Sequence, residues 1–141
     1  IKKMGTRMKG LVSKLPSEYF GTSVFIGAST MSLEEIRRRH VNGIDALMWG
    51  TDYPHPEGSW PKTVERLEND FREVSIEDTR RLLGLNAVEC YGLDLGGLTK
   101  VAERVGPTPE DLNQDPNLRT PHDATRAARW WLDEYGCELK Y

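Results

Sequence analysis

Two short apolar runs separated by a polar stretch give the middle of the chain its clearest pattern. Residues 23–28 (SVFIGA) and 44–49 (IDALMW) have strand length and are rich in strand-forming residues. Between them, Ser32 begins the capping-box sequence Ser-Leu-Glu-Glu, which predicts a helix through roughly Arg39 or His40 that Asn42-Gly43 stops. A strand, a helix and a second strand in this order predict a βαβ unit with parallel strands. The near-continuous apolar character predicts that both strands are buried on both faces.

Helical patterns dominate the stretch after the second run. Apolar residues at i, i+3 and i+7 predict one helix, beginning near Val64 and following a Pro-rich loop. Ser75 is predicted to cap the next helix. Asn86 is predicted to cap a further short helix that ends at Gly92, with Tyr91 packed beneath the sheet.

The composition shifts beyond Asp94 and predicts a second part of the chain. Residues 98–105 predict a small amphipathic helix closed by Gly106-Pro107, and residues 107–121 contain four prolines, which predicts a linker that crosses the surface. Thr120-Pro121 is predicted to begin a last helix. We therefore expect two units: residues 1–94 and a helical extension at residues 95–141.

Composition, charge and cysteine spacing exclude several classes of protein. The 141 residues include 38% hydrophobic and 29% charged residues, as in an ordinary soluble protein, and the net charge of -3 provides no basic field for nucleic acid. No apolar run approaches the roughly 20 residues of a membrane-spanning helix. Cys90 and Cys137 lack the spacing of a disulfide framework or a thiolate zinc site, so a cytoplasmic protein is expected.

Asp52 is the candidate for chemistry, because it directly follows the second apolar run. In α/β proteins ligands bind at the carboxyl ends of strands, and a carboxylate placed there is a candidate metal ligand or proton carrier. Its loop also contains Tyr53, His55 and Trp60. The alternative is that Asp52 only stabilises the following turn, since Asp is a common turn residue. The residues alone leave these two interpretations even.

Two motifs together resemble a known family. Trp49-Gly-Thr-Asp-Tyr-Pro-His55 and Leu82-Leu-Gly-Leu-Asn-Ala-Val-Glu-Cys-Tyr-Gly92 resemble the closing segment of the amidohydrolase-related family. That group includes the aminocarboxymuconate-semialdehyde decarboxylases. Residues 15–20 (LPSEYF) resemble the stretch before the family's seventh strand, and the resemblance extends over roughly residues 11–106.

The resemblance implies an α/β fold, the carboxy-terminal part of a (β/α)8 TIM barrel followed by the helical extension. Strands seven and eight would lie near residues 23–28 and 44–49. A complete barrel needs about 250 residues, so part of it is expected outside this chain. The resemblance also implies one divalent metal ion, for which zinc is expected. Asp52 would be both metal ligand and acid/base catalyst, and Tyr53, His55 and Trp60 would lie beside it or contact substrate.

The family's remaining metal ligands are a His-x-His pair and two later histidines. This sequence contains no His-x-His, so those ligands are expected upstream of Ile1. The resemblance thus implies a metal-dependent hydrolase or decarboxylase of a small organic or cyclic acid, homodimeric as a full-length protein and inactive as an isolated fragment. The alternative hypothesis is a catalytically inactive truncated product or an α/β interaction module, because the other ligands are absent.

Overall fold

The computed structural model describes residues 13–14, 16–29 and 31–118. Its centre is a two-stranded parallel sheet in which β1 (Ile26–Ser29) pairs with β2 (Leu47–Gly50), with Ile26 opposite Leu47. The chain crosses between the strands through α1 (Leu33–Arg37), α2 (Arg39–Asn42) and a 3-10 turn (Ile44–Ala46). The predicted βαβ unit and the mixed α/β class are confirmed.

Local hydrogen bonds explain where α1 begins. The Ser32 hydroxyl accepts a hydrogen bond from the Glu35 backbone N–H, and the Glu35 carboxylate accepts one from the Ser32 backbone N–H at 2.8 Å. The predicted capping box is therefore present. These donors, the Ser32 backbone N–H first and then its hydroxyl, hold the pKa of Glu35 below its ordinary value. After α2 the chain turns at Gly43, whose left-handed φ of 87° favours glycine.

Four α-helical segments follow β2 in the described residues. Ser75 caps the second of them, because its hydroxyl accepts a hydrogen bond from the Asp78 N–H at 3.1 Å, as predicted. A π-helical turn at Arg81–Leu85 joins that segment to the third without a break. The four segments are α3 (Thr63–Phe71), α4 (Ile76–Arg80), α5 (Asn86–Tyr91) and α6 (Leu95–Val105).

The hydrophobic core is formed by residues of β2, of the crossover helix α1 and of the segments that follow β2. Phe71 is fully buried at its centre, and each large apolar side chain buried there contributes about 1.5–3 kcal/mol to folding. The predicted surface linker at residues 107–121 is wrong in one respect, since Leu112 and Gln114 are both buried. Gln114 Nε2 lies 3.1 Å from the carbonyl oxygens of Phe71 and Val74, which ties the segment to the core. The core residues are Met31, Ile36, Leu47, Leu67, Phe71, Val74, Leu82 and Leu112.

A buried ion pair links α2 to α4. The Asp78 side chain is 2% exposed, and its Oδ2 atom lies 2.7 Å from Arg39 Nε and 2.9 Å from His40 Nε2. The geometry fixes the crossover helices against the helix that leads into α5. Sequence patterns did not indicate this pair, because its members are almost 40 residues apart.

β1 is more exposed than its composition predicts. Ile26 is 39% exposed and Val24 is 40% exposed, so the expected burial on both faces is wrong for this strand. The reason is that, within the described residues, β1 has β2 as its only sheet neighbour. No helix of the described part of the chain is long and apolar enough to cross a membrane. The predicted last helix, from Thr120, lies outside the described residues.

Candidate metal centre at the carboxyl end of β2

Asp52 lies two residues beyond the last residue of β2. Its backbone is left-handed, with φ of 57°, a conformation that Asp adopts more readily than most other residues with a side chain. This conformation turns the chain out of the strand direction and begins the loop. The Asp52 side chain is 22% exposed, so its carboxylate is half-buried at the edge where parallel strands present their ligands.

Backbone hydrogen bonds close the loop on itself. The His55 N–H donates to the Asp52 carbonyl at 2.8 Å, the Gly58 N–H donates to the His55 carbonyl at 3.0 Å, and the Ser59 N–H donates to the Thr51 carbonyl at 2.9 Å. A Cβ atom at Gly58 would lie 2.8 Å from the Thr51 oxygen and 3.0 Å from the carbonyl oxygens of Asp52 and His55. Only glycine fits this closure, which holds the loop side chains in a defined arrangement.

Three side chains with metal-binding atoms meet in this loop. His55 Nδ1 lies 3.8 Å from Asp52 Oδ2 and 3.8 Å from Glu57 Oε1. One ligand atom of each residue lies within 4.8 Å of the others. These separations are too long for hydrogen bonds, but they suit ligands that surround one ion. Imidazole nitrogen and carboxylate oxygen are donors that zinc and related divalent ions accept, so the residues present fit such an ion.

Two aromatic rings lie on the solvent-exposed surface of the loop. Tyr53 and Trp60 pack edge to face, with ring centroids 5.9 Å apart and an interplanar angle of 70°. Their exposed fractions are 66% and 67%, so both rings offer most of their surface to solvent. The structure therefore brings Asp52 and His55 together and places the two aromatics as a pair on the same loop.

Glu57 is the third member of the cluster, and the sequence pattern did not predict it as a metal ligand. The available signal was the spacing Asp-x-x-His-x-Glu in a Pro-rich loop, which places three donors within six residues. That spacing becomes informative only when the chain turns back on itself, as it does here through Gly58.

Asn86 fixes the opposite end of β2. Its side chain is fully buried, and Nδ2 donates to the carbonyl oxygens of Ile44 and Leu47, both at 2.7 Å. The prediction that Asn86 caps a helix is therefore wrong, because the helix is continuous with the preceding turn and the side chain forms no cap. Tyr91, predicted to be packed beneath the sheet, is 67% exposed.

The fold and the site together indicate the class of protein. The protein is an α/β protein in which a half-buried carboxylate follows a parallel strand, on a loop that also bears imidazole and carboxylate donors. Residues 12–93, more than half of the chain, match the family model described as Amidohydrolase. The chain therefore belongs to the amidohydrolase family, whose members are hydrolase- or lyase-type enzymes that usually bind a metal. No curated protein and no solved structure matches the chain.

Proposed function

We propose that this chain provides the Asp52 portion of a metal-dependent active site, and that the complete enzyme is a hydrolase or carboxy-lyase acting on a small organic or cyclic acid. The observation that supports the proposal is the position of Asp52 itself. Its half-buried carboxylate lies at the carboxyl end of a parallel strand, in a chain of the amidohydrolase family. Carboxylates at this edge are the usual ligands and proton carriers of α/β enzymes.

The same proposal extends to the fold. β1 and β2 would be the seventh and eighth strands of a (β/α)8 barrel of which residues 1–94 form the carboxy-terminal part, and residues 95–141 would be a helical extension. The parallel pairing and the helical crossover support this assignment. The exposed apolar side chains of Val24 and Ile26 also support it, because a neighbouring strand and its helix would cover them.

Each side chain of the loop would have a distinct task. A divalent cation, zinc in our proposal, would supply polarisation of a substrate oxygen when bound. Asp52 would bind it through one carboxylate oxygen and would accept and return a proton through the other. His55, 3.8 Å from Asp52 Oδ2, would orient that carboxylate. Tyr53 and Trp60 would contact the substrate and keep water from its apolar part.

The other histidine ligands must come from a different part of the enzyme. The sequence has three histidines and no His-x-His pair, and His40 Nε2 is 2.9 Å from the buried Asp78. We therefore propose that the remaining ligands lie outside the described residues. We also propose that the complete enzyme is a cytoplasmic homodimer.

The test of this proposal compares two Asp residues at opposite ends of β2. Asp52→Asn in the complete protein should lower kcat by about 10²- to 10⁴-fold, the usual effect of losing a general acid or base. Asp45→Asn, in the exposed turn before β2, should leave activity unchanged. The measurements are carbon dioxide release and hydrolysis on a panel of small cyclic acids. Near-normal turnover by Asp52→Asn with metal still bound would remove Asp52 from the mechanism.

A second candidate function is a non-catalytic interaction module. The observation in its favour is α6, an amphipathic helix with no buried residue. Its apolar side chains Leu98, Val101 and Val105 are 43%, 46% and 70% exposed. This candidate predicts concentration-dependent self-association in light scattering that Val101→Glu abolishes, together with no turnover of any substrate in the panel.

A further inference from the structure

We propose that the loop after β2 is a divalent-cation site in its own right, in which His55 and Glu57 act as ligands together with Asp52. The inference goes beyond the proposed function, which assigns only Asp52 to the metal and gives His55 an orienting task. It rests on that proposal only in sharing Asp52. The new claim is that the side chains of Asp52, His55 and Glu57 are together sufficient to bind one ion.

The geometry of the three donors supports this site. Ligand atoms that all lie within 4.8 Å of one another have a common point at most about 2.8 Å from each, against metal–ligand bonds of about 2.0–2.2 Å for zinc. The difference is small, and two of the side chains can close it. The His55 and Glu57 side chains are 63% and 71% exposed, so both can rotate toward the ion without disturbing the core.

The charges in the loop also favour a cation. Asp52 and Glu57 place two carboxylates on either side of His55. Within the described residues, no Lys or Arg forms an ion pair with either carboxylate, and the nearby Lys62 pairs with Glu65 instead. A divalent ion would neutralise both negative charges and use the imidazole nitrogen between them.

The donor set predicts which ions bind. Imidazole suits zinc, nickel, copper and cobalt, whereas magnesium and calcium prefer all-oxygen sites. The loop should therefore bind Zn²⁺ and Co²⁺ more tightly than Mg²⁺ or Ca²⁺. The backbone hydrogen bonds that close the loop, and the close approach at Gly58, reduce the entropy lost on binding.

The experiment measures ion binding without any substrate. The whole 141-residue chain is titrated with Zn²⁺ by calorimetry and with Co²⁺ by visible absorption. The expected result is one ion per chain, with affinity at least about 10-fold weaker in His55→Ala and in Glu57→Gln. Matched controls are His122→Ala and Glu89→Gln, which remove the same groups elsewhere and should bind as the unmodified chain does. Circular dichroism establishes that each variant is folded.

The outcomes separate this inference from the proposed function. No binding by the unmodified chain, or unchanged affinity in both His55→Ala and Glu57→Gln, would overturn the three-ligand site. That result would leave the role of Asp52 in turnover standing if Asp52→Asn still lowers kcat by about 10²- to 10⁴-fold in the complete protein. Conversely, weakened binding in the loop variants together with full activity of Asp52→Asn would support the ion site and contradict the catalytic proposal.

Discussion

Replacing Asn86 with alanine tests whether one buried amide holds the start of β2 in place. The Asn86 side chain is fully buried, and its Nδ2 group donates to the carbonyl oxygens of Ile44 and Leu47. Its Oδ1 atom accepts no hydrogen bond from any described residue. The contribution of the side chain to stability therefore comes from the donor group, and the variant removes both hydrogen bonds together.

The magnitude follows from what the two carbonyls lose. The Leu47 carbonyl is buried, and an unsatisfied buried acceptor costs about 1–3 kcal/mol. The Ile44 carbonyl is in a half-buried contact that water can partly replace, so its loss costs about 1 kcal/mol. Asn86→Ala should therefore lower the free energy of unfolding by about 2–4 kcal/mol. That is a large part of the total for a domain whose stability is about 5–15 kcal/mol.

Urea unfolding of the whole chain measures this loss. With an m value of about 1–3 kcal/mol per molar, the midpoint should fall by about 0.7 to 4 M. The control is Asn69→Ala, which removes a single exposed hydrogen bond to the Glu65 carbonyl and should cost less than about 0.5 kcal/mol. If the two variants shift the midpoint equally, the amide of Asn86 does not anchor β2 and the explanation is wrong.

Two further predictions concern charged side chains. Asp78→Asn should lower the free energy of unfolding by about 3–5 kcal/mol, because it leaves the buried Arg39 guanidinium without its counter-charge. The control, Glu34→Gln at an exposed ion pair, should lower it by less than about 1 kcal/mol. Similar losses for the two variants in urea unfolding would contradict this prediction. The folded state lowers the pKa of Glu35, so its contribution to stability is present above the ordinary value of 4.5 and is lost as pH falls through the lowered pKa. Glu35→Gln should therefore flatten the fall in melting temperature on acidification below that value, and parallel curves for variant and unmodified chain would refute the argument.

Local features of the fold could be predicted because their partners are close in sequence. Ser32 and Ser75 each cap a helix through a backbone N–H three residues later, and the residue types alone indicate this. The order strand, helix, strand similarly fixes parallel pairing, because a short crossover leaves few other topologies. The prediction that Asn86 caps a helix is wrong, and it arose because Asn is a common capping residue. Its true acceptors, Ile44 and Leu47, lie about 40 residues away, and no local pattern points to them.

The candidate site could likewise be predicted only where it depends on local sequence. The position of Asp52 could be predicted, because a polar residue directly after an apolar strand lies at the ligand-binding edge. The sequence places His55 on the same loop, but its 3.8 Å separations from Asp52 and Glu57 could not be predicted, since they depend on the left-handed backbone of Asp52 and on the close approach of Gly58 to three carbonyl oxygens. Both are properties of the closed loop and not of any residue type in isolation.

The two motifs that resemble the family act on the two ends of one strand. The Asp-Tyr-Pro-His motif begins where β2 ends and places the Asp52 carboxylate, while Asn86 of the second motif binds the carbonyl oxygens of Ile44 and Leu47, where β2 begins. β2 is held in register by its pairing with β1 and by the Asn86 amide at its start, and a shift of one residue would move the following side chain by about 3.3 Å. A displacement of that size is larger than a metal–ligand bond. The two motifs therefore act on one strand: the Asn86 amide adds two hydrogen bonds at the start of β2, and the loop at its other end bears the Asp52 carboxylate.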